Sequence, residues 1–158
     1  MALSADLVMW LMAQGHRQTD IAKEYGVSRQ YVHKLAKNGG YVPPITTITE
    51  NLPWEVDSAC FRNTIYISLR AYGHINLGGP ESLEKDTARR AETLIRRLKI
   101  FNQVIDYDPE YPPVPGLSNV NGFAYLPRTE TDEDYVIKIR PGVKITPLGE
   151  KLWRMPQE

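Results

Sequence analysis

Between Gln18 and Lys37 the chain reads QTDIAKEYGVSRQYVHKLAK, and the glycine in the middle of this stretch limits what it can become. Gly26 accepts the positive φ that other residues resist, so it can turn the chain sharply between two short helices. Ile21 and Tyr25 before it, and Val27, Val32 and Leu35 after it, are spaced to glue those helices together. Ala22 is small enough for the helices to approach closely, and Ser28 is placed to cap the second one. Counting about 100° per residue from Ser28, Tyr31, Val32, Leu35 and Ala36 share one arc. Arg29, Gln30, His33, Lys34 and Lys37 fill the opposite arc, which therefore carries almost only hydrogen-bond donors and cations.

Such a face fits the major groove of double-stranded DNA, which admits one α-helix. The groove offers guanine O6 and N7 to Arg or Lys and adenine N6 and N7 to Gln. The plain alternative is a solvated basic surface on an ordinary helical hairpin. The apolar set, an alanine four residues before a glycine, and the serine cap occur together here, which favours a helix-turn-helix. The expected contact residues in this region are Arg17, Gln18, Thr19, Lys23, Ser28, Arg29, Gln30, Tyr31, His33, Lys34 and Lys37. Among them Thr19 is expected to cap the first helix of the pair, with Arg17 and Lys23 meeting phosphates.

The flanking sequence suggests how this reader is braced and where it stops. Ser4 can cap an earlier helix running to about Gln14, with Leu7, Val8 and Leu11 on one side and Gly15 as its stop. Asn38, Gly39 and Gly40 end the reading helix, and Pro43 and Pro44 forbid its continuation. The expected division is a DNA-binding unit over 1–38, a linker over 39–54, in which Ile45 to Asn51 could form a short helix capped by Thr46 or stay extended, and a larger unit over 55–158.

In the larger unit Phe61, Ile65, Leu69 and Tyr72 recur at helical spacing up to Gly73. After the turn HINLGGPE, a helix capped by Ser82 is expected to run to Phe101, its apolar stripe formed by Leu83, Ala91, Leu94, Ile95, Leu98 and Phe101. Lys85, Arg89 and Arg96 line the opposite side, and Arg90 and Arg97 flank the stripe. Two readings of this basic side carry equal weight, a solvated helix surface and a second DNA contact. The period then changes to two: VIDY at 104–107, FAYL at 123–126 and YVIKIR at 135–140 read as strands of a small antiparallel sheet. DPEYPPVPG between the first two reads as a loop, and TETDED before the third as an acidic turn. TPLGEKLW, capped by Thr146, reads as a closing helix that buries Leu148, Leu152 and Trp153. The expected fold is mostly α with a small antiparallel sheet (α+β).

Composition is that of a globular chain, 42% hydrophobic and 24% charged over 158 residues. The formal net charge is zero, which argues against a nucleic-acid partner only if charge is evenly spread. It is not, because Gly15 to Asn38 holds five Lys or Arg against two acids and Phe61 to Ile100 holds eight against four. Cys60 is the sole cysteine, so no intrachain disulfide can form, which fits a reducing cytoplasm. No apolar run approaches the roughly 20 residues of a bilayer span, so no membrane partner is expected.

A search for catalytic chemistry ends without a site. His16, His33 and His74 lack metal-ligand spacing. Asp106, Asp108 and Glu110 alternate as a metal nuclease would require, but their neighbours Pro109, Pro112 and Pro113 favour a solvated loop. Ser82 and Lys85 form an S-x-x-K string without its accompanying motifs, and helix capping accounts for Ser82. No enzyme activity, metal or cofactor is expected.

Taken together with the strings NLPWEV at 51–56, VIDYDP, NGFAYLPR at 121–128, DEDYVIKIR and ITPLGEKLW, the reader gives the chain a wider likeness. It resembles the immunity repressors of cluster A actinobacteriophages, the temperate phages of mycobacteria. The resemblance covers nearly the whole chain, with departures in the linker and in the 76–84 turn. It implies a repressor that silences lytic genes in a lysogen and excludes related phages. It further implies monomers acting in the host cytoplasm on asymmetric double-stranded DNA, at an operator and at scattered stoperator sites where bound repressor obstructs elongation. The residues themselves leave the stoichiometry open. One reading helix contacts few bases, so it must either dimerise on a palindrome or be joined by a second surface such as the basic side of helix 82–101. The alternatives are a homodimeric regulator with a C-terminal dimerisation or sensing unit, and a DNA-processing enzyme subunit.

Overall fold

Serine and threonine hydroxyls open three of the helices. Ser4 Oγ accepts the Leu7 amide at 3.2 Å, Ser28 Oγ the Tyr31 amide at 3.1 Å, and Thr146 Oγ1 the Gly149 amide at 2.9 Å. Each bond satisfies an N–H that the first helical turn leaves without an intrahelical partner. The computed structural model describes residues 3–79 and 83–156. The chain divides into two compact units, Met1–Pro43 and Pro44–Glu158, and is mostly helical with one small antiparallel sheet.

The first unit consists of α1 (Ala5–Ala13), α2 (Gln18–Tyr25) and α3 (Arg29–Asn38). Val8 of α1, Ile21 of α2, and Val32 and Ala36 of α3 are sealed from solvent and form its centre, with Leu35, Tyr25 and Val27 packed around them. Gly26 ends α2 at φ 65° with its amide on the Ala22 and Lys23 carbonyls, so the turn rests on the residue type that tolerates that conformation. Thr19 is not the α2 cap. The Ile21 amide already bonds the Arg17 carbonyl at 3.0 Å, which starts the helix at Gln18 and leaves Thr19 inside its first turn.

The second unit contains α4 (Pro44–Glu50), α5 (Thr64–Gly78), α6 (Lys85–Phe101), β1 (Gln103–Tyr107), β2 (Phe123–Pro127) and α7 (Pro147–Leu152). The segment expected as a linker is therefore partly helical. Pro44 occupies the first position of α4, where a missing N–H costs nothing, and Ile48 and Leu52 enter the core of this unit.

α5 starts later and ends later than its apolar spacing suggests. Buried Asn63 sets the start, its Oδ1 accepting the Ile65 and Tyr66 amides at 2.8 and 3.3 Å while its Nδ2 donates to the Val120 carbonyl at 2.8 Å. Phe61 is left outside the helix and exposed. Gly73 does not stop the helix but makes room for another residue. A Cβ at that position would lie 2.8 Å from Trp153 Cη2, so the missing side chain seats the indole. Trp153 is fully buried and its Nε1 donates to the Asn51 carbonyl at 2.8 Å, tying the end of α7 to the residue that follows α4.

The α6 stripe of Ala91, Leu94, Ile95 and Leu98 is buried as its spacing requires, but Phe101 is 58% exposed at the helix end. The expected Ser82 cap lies outside the described residues, and Glu84 occupies the cap position of the helix as observed.

β1 and β2 pair antiparallel, with Val104 opposite Leu126 and Asp106 opposite Ala124. The expected third strand at 135–140 does not form. Its residues make two isolated bridges, Ile137 to Ile105 in the parallel sense and Tyr135 to Arg154 in the antiparallel sense. A ladder does not extend because the Ile139 amide donates to Asp132 Oδ1 at 2.8 Å instead of to a strand. The supposed acidic turn supplies that carboxylate. Asp132 is fully buried and also accepts the Thr129 amide at 2.8 Å and Lys138 Nζ at 3.1 Å. Burial alone would raise its pKa, but these bonds outweigh burial and hold the carboxyl below its ordinary value.

Candidate nucleic-acid interface

With Val32 and Ala36 sealed inside the first unit, the opposite side of α3 is left to solvent. Arg29, Gln30 and His33 are exposed and together line one hollow of about 380 Å³. Lys34 and Lys37 are exposed on the same helix, and Tyr31, which the apolar arc would place inward, is 44% exposed. Ser28 is exposed, but its oxygen is committed to the Tyr31 amide, so its role here is to fix the start of the helix.

The residues expected around α2 separate into two kinds. Thr19 and Lys23 are exposed. Arg17 is exposed too, and its Nε lies 3.1 Å from Asp20 Oδ2, a surface pair that can open at a cost of at most about 1 kcal/mol. Gln18 is half-buried, with its Nε2 3.9 Å from Met12 Sδ, and is the least available of the set.

In the second unit Lys85, Arg89 and Arg96 are all exposed on α6. Arg89 and Arg96 line a groove of about 520 Å³ together with Arg90 and Arg97, whereas Lys85 is not among the lining residues. The far wall comes from Thr64, Ile65 and Ser68 on α5 and from Gly116 and Leu117. The periodicity of α6 places the cations but does not announce the wall from α5 and residues 116–117, so the groove that gathers them is not legible in the sequence.

The alternating acids near residue 106 do not form a metal site. Asp106 lies buried in β1 rather than in a solvated loop, where Arg140 Nε donates to it at 2.9 Å and the Tyr111 hydroxyl at 2.7 Å. Burial, followed by that hydrogen bond, pushes the Tyr111 pKa up to about 12. Asp108 instead accepts the Glu110 amide at 2.9 Å. Among the described residues no group of three His, Cys, Asp or Glu is arranged to hold a metal ion. Cys60 is buried in the core, and no described helix is long and apolar enough to cross a membrane.

These features define a small two-unit protein with a cationic helix face on each unit and a buried acid network that serves the fold. No family model matches the chain. It is similar to the repressor-like immunity protein of Mycobacterium phage L5, with 29% identity over 150 residues covering 94% of this chain and 81% of that relative. The likeness spans nearly the whole chain and supports the kinship with phage immunity repressors.

Proposed function

We propose that the chain is a sequence-specific repressor that binds double-stranded DNA, maintains phage lysogeny and confers superinfection immunity. In this reading it acts as a monomer in the host cell on asymmetric operator and stoperator sites of the cluster A type. The observation that carries the proposal is the α3 surface: Arg29, Gln30 and His33 gathered at one hollow, Lys34 and Lys37 beside them, and an apolar core behind that holds the helix rigid. A face of donors on a braced helix is what reading base edges requires.

Arg29, Gln30 and His33 are assigned to bases, Tyr31 to an apolar edge such as a thymine methyl, and Lys34 and Lys37 to bases or adjacent phosphates. Arg17, Thr19 and Lys23 hold the backbone, with Gln18 and Ser28 supporting the approach. Lys85, Arg89 and Arg96 give the second unit its own DNA contact, so the protein needs no dimer partner to enlarge its site. The name borne by the phage L5 relative favours the regulatory reading over an enzymatic one.

The direct test is fluorescence anisotropy of the full chain with labelled duplexes at rising salt. The proposal predicts binding that weakens steeply with salt and is tighter for a phage operator fragment than for a scrambled one. Equal affinity for both duplexes, or no binding at low salt, contradicts it.

A further inference from the structure

We infer that the groove bounded by the start of α5, one flank of α6 and residues 116–117 is a phosphodiester-binding site, with Arg97 as its preset guanidinium fork. The inference rests on the DNA-binding reading above and adds to it a specific point of contact.

Arg89, Arg90, Arg96 and Arg97 line the groove, and among its described lining residues Asp86 is the only acid. Four cations against one carboxylate select an anion. Arg97 stands apart from the other three, which are exposed, whereas it is half-buried. Its guanidinium carbon lies 4.8 Å from the Phe101 ring centroid and 4.4 Å from that of Tyr125. Stacking on rings occupies the flat faces of a guanidinium and fixes its plane, leaving the N–H edge for hydrogen bonds.

Arg97 Nε is buried without a hydrogen-bond partner, so the guanidinium is held in place by the two rings and not by a protein acceptor. An arginine edge matches two oxygens of one phosphate in a bidentate pair. Because Nε itself is sealed from solvent, a phosphodiester entering the groove pairs its two non-bridging oxygens with the terminal nitrogens of Arg97. A duplex is favoured over a small free anion because the cations continue along the helix. Lys85 opens α6, whose 17 residues extend about 25 Å, a length that follows several phosphates rather than one.

The test measures Kd for a labelled operator duplex against salt concentration, using the full chain, R97K, R97A and R29A, each checked by thermal melting to be folded at the assay temperature. R97K keeps the charge but loses the fork and the stacking. It is expected to weaken binding about tenfold or more with an unchanged salt slope. R97A is expected to weaken it at least as much and to lower the slope of log Kd against log salt by about one. R97K within twofold of the parent, while R29A loses affinity, overturns the groove and leaves the DNA-binding reading standing. Failure of the parent to bind any duplex overturns both. Inorganic phosphate that raises the melting temperature of the parent but not of R97A, with equal DNA affinity for the two, overturns the duplex as the ligand.

Discussion

Arg29 and Asp132 are both charged residues, and their settings give them opposite duties. Arg29 is exposed on α3 with the sealed Val32 and Ala36 behind it, so its removal should leave the fold intact. R29A is expected to cost about 1–3 kcal/mol of binding to the preferred site and to relax one position of that site, measured by competition with single-base variants. An equal loss on every sequence would assign Arg29 to a phosphate instead. Asp132 is fully buried and hydrogen-bonded, and removing its charge leaves Lys138 without that partner. D132N should lower stability by roughly 3 kcal/mol at neutral pH, read from denaturant midpoints. The pH dependence follows from its depressed pKa in the folded state. The stabilisation is fully present above the unfolded value of about 4 and is lost as pH falls through the lower folded value. The midpoints of the parent and D132N should therefore draw together as pH falls below about 4, and a gap that widens over that range would remove Asp132 as the cause.

At the level of elements, what could be read in advance was whatever depends on neighbours in sequence. The caps Ser4, Ser28 and Thr146, the Gly26 turn and the buried stripe of α6 all follow from residues within a few positions of one another. What escaped depends on distant partners. Gly73 looks like a helix stop until Trp153 is seen filling its place, and residues 135–140 look like a strand until Asp132 claims the Ile139 amide. The α4 segment leaves helix and extended chain equally open until Ile48 is seen in the core. The cations of the candidate interface were legible, while the groove around Arg97 was not, because its other wall comes from α5 and the 116–117 loop. Two changes test these element-level relations. G73A should destabilise by about 1–2 kcal/mol, since overpacking against the indole outweighs the helix propensity gained by alanine; a rise in melting temperature would mean that Trp153 moves aside freely. The double change K85A and R89A should weaken binding to all duplexes and flatten the salt dependence, and an unchanged slope would make the basic side of α6 a solvated surface only.

For the molecule as a whole, zero net charge conceals an uneven distribution. α3 and α6 carry surplus cations, while 101–158 holds six Lys or Arg against nine acids, with Asp106 and Asp132 spent on internal pairs. A protein with a cationic face on each unit can cover a site without two-fold symmetry, which is the core of the proposed mode of action. The measurement that reaches this most directly is selection of bound duplexes from a random-sequence pool by the full chain, followed by sedimentation of the purified complex on the selected duplex. The account predicts one enriched motif that is not a palindrome, lost with R29A, and a complex of one protein per duplex. An enriched palindrome carrying two copies of the chain, or no enriched motif at all, would contradict it.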